Sequence, residues 1–558
     1  MAATFGGTGP VRRSRTFALC AAAAVLTPLT ACAGNTGGAA QTGEGPVASQ
    51  TPGATPAGDQ GAWIPDFVEG MTLEQKVGQV FVPTFRSRPD AEKIIRRYHV
   101  GGLIYFPGNA RTPRRTAQMS NALQRASKIP LLLGVDEEQG PVTRLAYLTR
   151  FPGNMALGAL ARPEEARAAA RVTGTELRAV GINQNYAPVA DVNVNPANPV
   201  IGLRSFGSDP DLVSRMLVGA LQGYRDAGVA ATAKHFPGHG DTDTDSHTGL
   251  PVIKHSREEW ERLDAPPFRA AVQHGVDAIM TAHIVMPGLD RSGDPATMSR
   301  TVLTGLLREG LGFQGVVVTD SLSMAGASAK YPAAQAAVRA FLAGADQLLM
   351  PPDLGRAQAA MMSAVRKGQI SMKRLDESVT RILWLKARRG LFGDVQVDPA
   401  RAEQVVRSAA HRAVARRVAE HSITLVRNRN GVLPLDARTT VHVTGPRSGV
   451  LTAALRKRGV PIAASPGAAD VTVVTTLNDG KATKAKVAAS GRGQVVVVAL
   501  GRPYDLGHAG SADAALATYS SGAASLDALA GVLSGRVRPA GRLPVQVREF
   551  DFGHGLTY

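Results

Sequence analysis

From Trp63 onward the chain alternates short, continuous apolar runs with longer stretches in which apolar residues recur at helical spacing. The first pattern is that of a parallel strand buried on both faces, and the second that of an amphipathic helix packed against it. Eight apolar runs stand out, at Val77–Phe85, Val100–Phe106, Pro130–Asp136, Ile182–Val192, Val229–Phe236, Ala278–Ile284, Gly315–Leu322 and Asp346–Pro351. Helical stretches separate them at Pro113–Ser127, Pro163–Val180, Pro210–Ala227, Ser256–His274, Ser299–Leu311 and Pro332–Ala343. All six open on proline or serine, which suit a helix start. Eight strands can close a ring, and no G-x-G-x-x-G follows the first run. The pattern therefore predicts an α/β fold of the (β/α)8 TIM-type barrel class, not an open doubly wound sheet.

Past the eighth run, a helix at Met372–Leu391 is expected to continue to about residue 420. Strand-like runs then return at Thr424–Val426, Val441–Val443, Asp470–Thr475 and Gln494–Leu500, and the Ala- and Gly-rich stretch Ala514–Leu533 reads as a helix. A smaller α/β sandwich domain follows the barrel in this reading, with few convergent polar groups and no active site of its own. The expected division is 1–31 signal peptide, 32–61 flexible tether, 62–398 catalytic barrel and 399–558 linker helix plus C-terminal α/β domain.

The N-terminus follows a different pattern. Arg12, Arg13 and Arg15 precede a short apolar run, Phe17–Leu29, too short to span a bilayer and of signal-peptide form. It ends in Leu29-Thr30-Ala31-Cys32, which resembles the lipobox of bacterial lipoproteins and implies lipidation at Cys32. The expected location is the extracytoplasmic face of a cell membrane, held by a lipid. Residues 33 to about 61 offer little to bury and read as a tether. The only other cysteine, Cys20, lies in the segment to be removed, so no disulfide is expected.

Composition changes the picture in one respect. With 63 Lys and Arg against 45 Asp and Glu, the formal charge is +18. Such a surface favours anionic surroundings. The basic residues are scattered, without zinc-finger spacing or basic heptads, so nucleic acid is not an expected partner.

The richest chemistry lies at residues 234–251, K-H-F-P-G-H-G-D-T-D-T-D-S-H-T-G-L-P, directly after the fifth apolar run. Barrel chemistry sits at that edge of the strands. His235 and His239 have H-x-x-x-H spacing, but Pro237 and Gly238 between them exclude a zinc-binding helix, so no metal or other cofactor is expected. Asp245 and His247 could form a proton-transfer pair, with the carboxylate on one ring nitrogen and the other nitrogen free to work. On their own they could equally be a loop pair bonded to backbone. Within the seventh run, the stretch Gly315–Thr319 leads to an acid, Asp320, that would face the barrel mouth, where a retaining glycosidase needs its nucleophile.

K-H-F-P-G-H-G leading to D-S-H, with V-V-T-D-S-L-S-M downstream, resembles glycoside hydrolase family 3 and, within it, the NagZ-type β-N-acetylhexosaminidases. Further likeness lies in L-V-R-N-R-N-G-V-L-P-L at 425–435 and A-G-R-L-P-V at 540–545. The resemblance implies a retaining β-N-acetylglucosaminidase, with Asp320 as nucleophile and His247 as acid/base oriented by Asp245. It implies substrate contacts from Asp136, Arg144, Arg204, Lys234 and His235, although Arg204 and Lys234 could instead be barrel ion pairs. The sequence departs from the family pattern at Gln139 and Pro141, where a glycine and an arginine usually stand. Expected substrates are N-acetylglucosamine-containing oligosaccharides or muropeptides. Alternatives are a broader β-glycosidase, an N-acetylglucosaminide phosphorylase, or substrate-assisted hydrolysis through the adjacent Asp136 and Glu137.

Overall fold

The computed structural model describes residues 61–488, 490 and 493–558. The expected signal peptide, Cys32 and nearly all of the expected tether lie outside them. Eight short parallel strands form the first unit: β1 (Phe81–Val82), β2 (Gly102–Ile104), β3 (Leu132–Val135), β4 (Gln184–Asn185), β5 (Ala230–Phe236), β6 (Ala278–Thr281), β7 (Val316–Thr319) and β8 (Leu348–Leu349). Strands β2 to β7 pair in chain order and β1 pairs with β8. Single parallel bridges, Thr84 with Ile104 and Gln347 with Val318, join the two groups into a ring. Each strand falls within one of the eight apolar runs, and the barrel expectation holds.

The strands are shorter than the runs because only the central residues of each run make ladder bonds. Their interior is filled by Val82, Ile104, Tyr186, Met280, Val318 and Leu349, so the barrel is a packed core and not a pore. Helices at Pro113–Ala126, Pro163–Ala179, Pro210–Asp226 and Ala333–Ala343 surround it. Pro113 and Pro210 occupy the first helical position behind Thr112 and Asp209, whose side chains accept the N–H of Arg115 and Leu212. Such caps satisfy otherwise orphaned donors. The stretch expected as one helix at Ser256–His274 is two, Arg257–Leu263 and Ala265–Gln273. Pro266 and Pro267 lack N–H groups, so they cannot continue the first helix but fit the first turn of a second.

Two further expectations fail. The helix Met372–Arg388 ends there, and residues up to 422 form two more, Pro399–Val405 and Ala409–Ser422. Gly390, at φ +69°, and Gly393 break the run. The stretch expected as a helix at Ala514–Leu533 begins as strand β13 (Ala514–Ala517), and only Ala523–Leu533 is helical. Alanine prefers helix, but this tetrad is wholly buried between two strands, and sheet pairing overrides local preference.

The C-terminal unit is a five-stranded sheet in the order β10 (Val441–Thr444), β11 (Val471–Thr476), β12 (Gln494–Ala499), β13, β9 (Thr424–Asn428), with β9 antiparallel. Its loops at the C-terminal ends of β11 to β13 turn toward the barrel. Leu477, Asn478, Gly501 and Ser520 share one groove with Pro141 and Thr143 of the barrel. No described helix is long and apolar enough to cross a membrane.

Candidate active site

The carboxyl ends of the barrel strands surround a cavity of about 250 Å³. Asp136, Arg144, Arg204, Lys234, His235, His247 and Asp320 all line it, together with Phe106, Glu138, His239, Met324 and Met350. Asp136 is the first residue after β3 and Asp320 the first after β7, while Lys234 and His235 are the last polar residues of β5. Strand ends fix these four with little freedom, which explains why residues far apart in sequence converge.

Ion pairs organise one wall. Lys234 Nζ lies 2.8 Å from Asp136 Oδ1 and 2.7 Å from Glu138 Oε1. Arg204 grips the same Glu138 with two N–H groups, each at 2.8 Å, in the bidentate geometry suited to guanidinium and carboxylate. Glu138 is buried, and burial alone would raise its pKa. The charges of Arg204 and Lys234 outweigh that and hold it well below the ordinary carboxylate range. In return, Lys234 and Arg204 stay firmly cationic despite burial. The barrel ion pairs and the cavity wall are thus one arrangement. Glu138 was missed in the sequence because it is the third acid of D-E-E, and only the partners its side chain finds in the fold tell it from the equally buried Glu137.

Glu137 points the other way. It is fully buried, and its Oε2 accepts the N–H groups of Arg144 and Leu145, each at 2.9 Å. Asp136 lines the cavity and Glu137 does not, so the two form no acidic pair across a substrate. Burial pushes Glu137 up to about 7, against the lowering effect of those two N–H bonds.

The unusual Gln139 is a structural staple. Its amide donates to Thr149 O and Thr173 Oγ1 and accepts from Phe151 N, each at 3.2 Å, from a backbone at φ +70°. The loop so fixed brings Arg144 to the cavity, its guanidinium 5.6 Å from the centre of the Phe106 ring.

Asp191, buried behind the cavity lining and not singled out by the sequence, is the hub of a second set of contacts. Its two oxygens take the His235 ring Nδ1 at 2.7 Å, the His235 N–H at 3.1 Å and the His239 N–H at 2.8 Å. The His235 Nε2 then lies 3.2 Å from Arg204 Nη2. His239 turns to Ser246 Oγ at 3.0 Å, and burial lowers its pKa to about 4, so it is neutral at pH 7. His235 and His239 therefore face different partners. No metal-holding group of three or more His, Cys, Asp or Glu occurs among the described residues.

Asp320 is partly exposed to the cavity and accepts the Ser321 N–H at 2.7 Å. Burial raises its pKa, but the neighbouring His235, His283 and Lys234 and that N–H bond lower it further, leaving a carboxylate at neutral pH. His283, at the end of β6, holds the Ser321 carbonyl at 3.0 Å and so supports the turn behind Asp320. His247 stands at the exposed rim. Its Nδ1 lies 2.7 Å from Asp245 Oδ1, which also accepts the His247 N–H at 2.9 Å. That pairing puts the Nδ1 proton toward Asp245 and leaves Nε2 uncommitted. Asp245 is not part of the cavity wall; it stands behind His247.

A closed parallel barrel with an ionised carboxylate at the end of β7, facing a charged cavity with a histidine at its rim, defines the class of barrel glycosidases. Residues 72–385 match the glycosyl hydrolase family 3 N-terminal domain, and 461–552 match the family's C-terminal domain. The chain belongs to glycosyl hydrolase family 3.

Among its relatives, beta-hexosaminidase A of Pseudoalteromonas piscicida is 38% identical over 390 residues, covering 64% of each chain. The chain thus spans slightly under two thirds of that relative's length. Beta-hexosaminidase LpqI of Mycobacterium tuberculosis is 35% identical over 387 residues, covering 67% of this chain and 97% of LpqI. A solved family 3 beta-N-acetylglucosaminidase from Paenibacillus sp. str. FPU-7 superposes with a TM-score of 0.80 at 38% identity, covering 86% of this chain and 99% of that one.

Proposed function

We propose that the chain is a retaining β-N-acetylglucosaminidase that removes terminal, non-reducing N-acetylglucosamine from peptidoglycan-derived fragments. The observation that carries this reading is the presence of Asp320 and His247 around one cavity, in a chain whose relatives are named beta-hexosaminidases. Asp320 attacks the anomeric carbon and forms a glycosyl-enzyme, while His247 Nε2 protonates the leaving oxygen. Deprotonated by that transfer, His247 then activates the water that releases the sugar. Asp245 holds the ring's tautomer and stabilises its cationic form. Asp136, Lys234, Arg204, His235 and Arg144 bind sugar hydroxyls, with Glu138 and Asp191 fixing their positions.

A histidine in place of a second carboxylate exchanges protons near neutrality and adds no negative charge to the cavity. Trapping with a fluorinated N-acetylglucosamine analogue, followed by peptide mapping, tests the assignment: label on Asp320 is expected, and label elsewhere refutes it. Products formed in phosphate buffer separate hydrolysis from phosphorolysis, with free N-acetylglucosamine alone expected. Comparing nitrophenyl N-acetylglucosaminide with nitrophenyl glucoside separates this reading from a broader β-glycosidase.

We propose further that Cys32 carries lipid and anchors the enzyme outside the cytoplasmic membrane. A Cys32→Ala chain should lose incorporation of labelled fatty acid and leave the membrane fraction; unchanged labelling would rule out that site.

A further inference from the structure

We infer that Arg502 and Tyr504 of the C-terminal domain are positioning residues for the barrel's active site. They hold the segment that carries Arg204 and, through it, the loop that leads to His247. The inference rests on the functional reading above for its kinetic consequence but not for its geometry.

Both residues follow β12, at the end of the C-terminal sheet that faces the barrel. The Tyr504 hydroxyl accepts the Asn193 Nδ2 amide at 3.1 Å. Asn193 is buried, and its other amide atom, Oδ1, accepts the Gly202 N–H at 3.1 Å. Gly202 sits at φ +44°, a conformation that side-chain-bearing residues rarely adopt, two positions before Arg204. A few residues away, Arg502 Nη1 donates to the Asn198 carbonyl at 3.3 Å. Asn198 is also buried and works in two directions. Its Oδ1 accepts the N–H groups of Val200 and Ile201 at 3.0 and 2.8 Å. Its Nδ2 donates to the carbonyls of His239 and Gly240, each at 3.0 Å.

The Val200 carbonyl in turn receives Arg204 Nη1 at 3.1 Å. Two side chains from outside the barrel thus reach two buried asparagines, and those asparagines fix the turn before Arg204 and the start of the D-S-H loop. Tyr504 holds one end of the Asn193 amide, whose other end is committed to Gly202, and Arg502 holds the main-chain carbonyl of Asn198, so losing either outer partner leaves a polar group of a buried residue without that bond and loosens the turn it belongs to. Neither Arg502 nor Tyr504 lines the cavity, so any effect on catalysis must pass through the segment they hold.

Tyr504→Phe keeps the ring and removes only the hydroxyl, and Arg502→Gln removes the guanidinium reach. Each should raise KM for a chromogenic N-acetylglucosaminide about tenfold, with kcat changed much less, since a ground-state grip is loosened. Tyr504→Phe combined with Arg204→Lys should lose less than the product of the two single effects, because both act through one group. Amide hydrogen exchange supplies a readout that needs no turnover: residues 193–208 and 238–249 should exchange faster in both variants, with the rest of the barrel unchanged. A KM within twofold of the parent, a fully multiplicative double variant, or unchanged exchange each overturns the inference. If the parent enzyme turns over no N-acetylglucosaminide, the functional reading fails and exchange alone decides the positioning. Should one variant not fold, the other carries the test.

Discussion

At the scale of single residues, the site divides into groups that strand ends fix and groups that burial sorts. Asp320 was legible in the sequence because it interrupts an apolar run near its C-terminal end, and Lys234 and His235 for the same reason. Glu138 and Asp191 were not, since their importance comes from partners 66 and 44 positions away in the chain. Replacing Glu138 by Gln should leave Lys234 and Arg204 buried without their shared carboxylate. A cost of about 3–5 kcal/mol is expected for a broken buried pair, together with a raised KM. Thermal unfolding and steady-state kinetics on one preparation check both, and an unchanged melting temperature would contradict the network.

Glu137 makes the opposite prediction for pH. Its folded pKa, about 7, lies above the ordinary 4.5, so its burial costs nothing below the unfolded value. The cost grows as pH rises through about 7, reaching about 3 kcal/mol by linkage. Glutamine keeps an oxygen for the Arg144 and Leu145 N–H groups without a charge to desolvate. Glu137→Gln should therefore gain stability relative to the parent between pH 5 and pH 8, as read by melting temperature. A difference independent of pH would mean that the carboxyl is not titrating there.

At the scale of elements, periodicity located every barrel strand but could not see where helices end inside a run of helix formers. The breaks at Pro266-Pro267 and Gly390 are chemical and can be read locally. The strand at Ala514–Ala517 cannot, because only its neighbours β12 and β9 make it one. The loop after β3 shows the same limit in a site. Gln139 departs from the family pattern, yet its side chain ties the loop to three partners on two other segments. Gln139→Ala would remove all three bonds and keep an unfavourable positive φ. The loop should loosen, with KM rising about tenfold through Arg144 while kcat falls much less. An unchanged KM would show that Arg144 holds its place without the staple.

At the scale of the whole molecule, the apolar pattern suggested two units, but not how far they share a core. The helix Asn154–Leu160 belongs by sequence to the barrel, yet Met155, Ala156 and Ala159 pack in one cluster with Val426, Val497, Leu543 and Phe550 of the C-terminal domain. Buried acids of the barrel also take partners from beyond it. Glu176 accepts His411 Nδ1 at 2.7 Å and the Arg407 N–H at 2.8 Å, and Glu165 pairs with Arg417 at 2.9 Å. A chain ending at residue 398 would expose that apolar face and leave Glu176, wholly buried, without these two donors. Apolar area returned to water at about 25 cal/mol per Å² and a carboxylate left with only its two Thr149 bonds act in the same direction, against a stability margin that is small in a typical domain. The full chain should melt in one calorimetric transition, and the shortened chain should lack near-ultraviolet dichroism or aggregate. A shortened chain that melts sharply at the parent temperature would show the barrel to be self-sufficient, and would confine the C-terminal domain's part to the loops it holds at the barrel mouth.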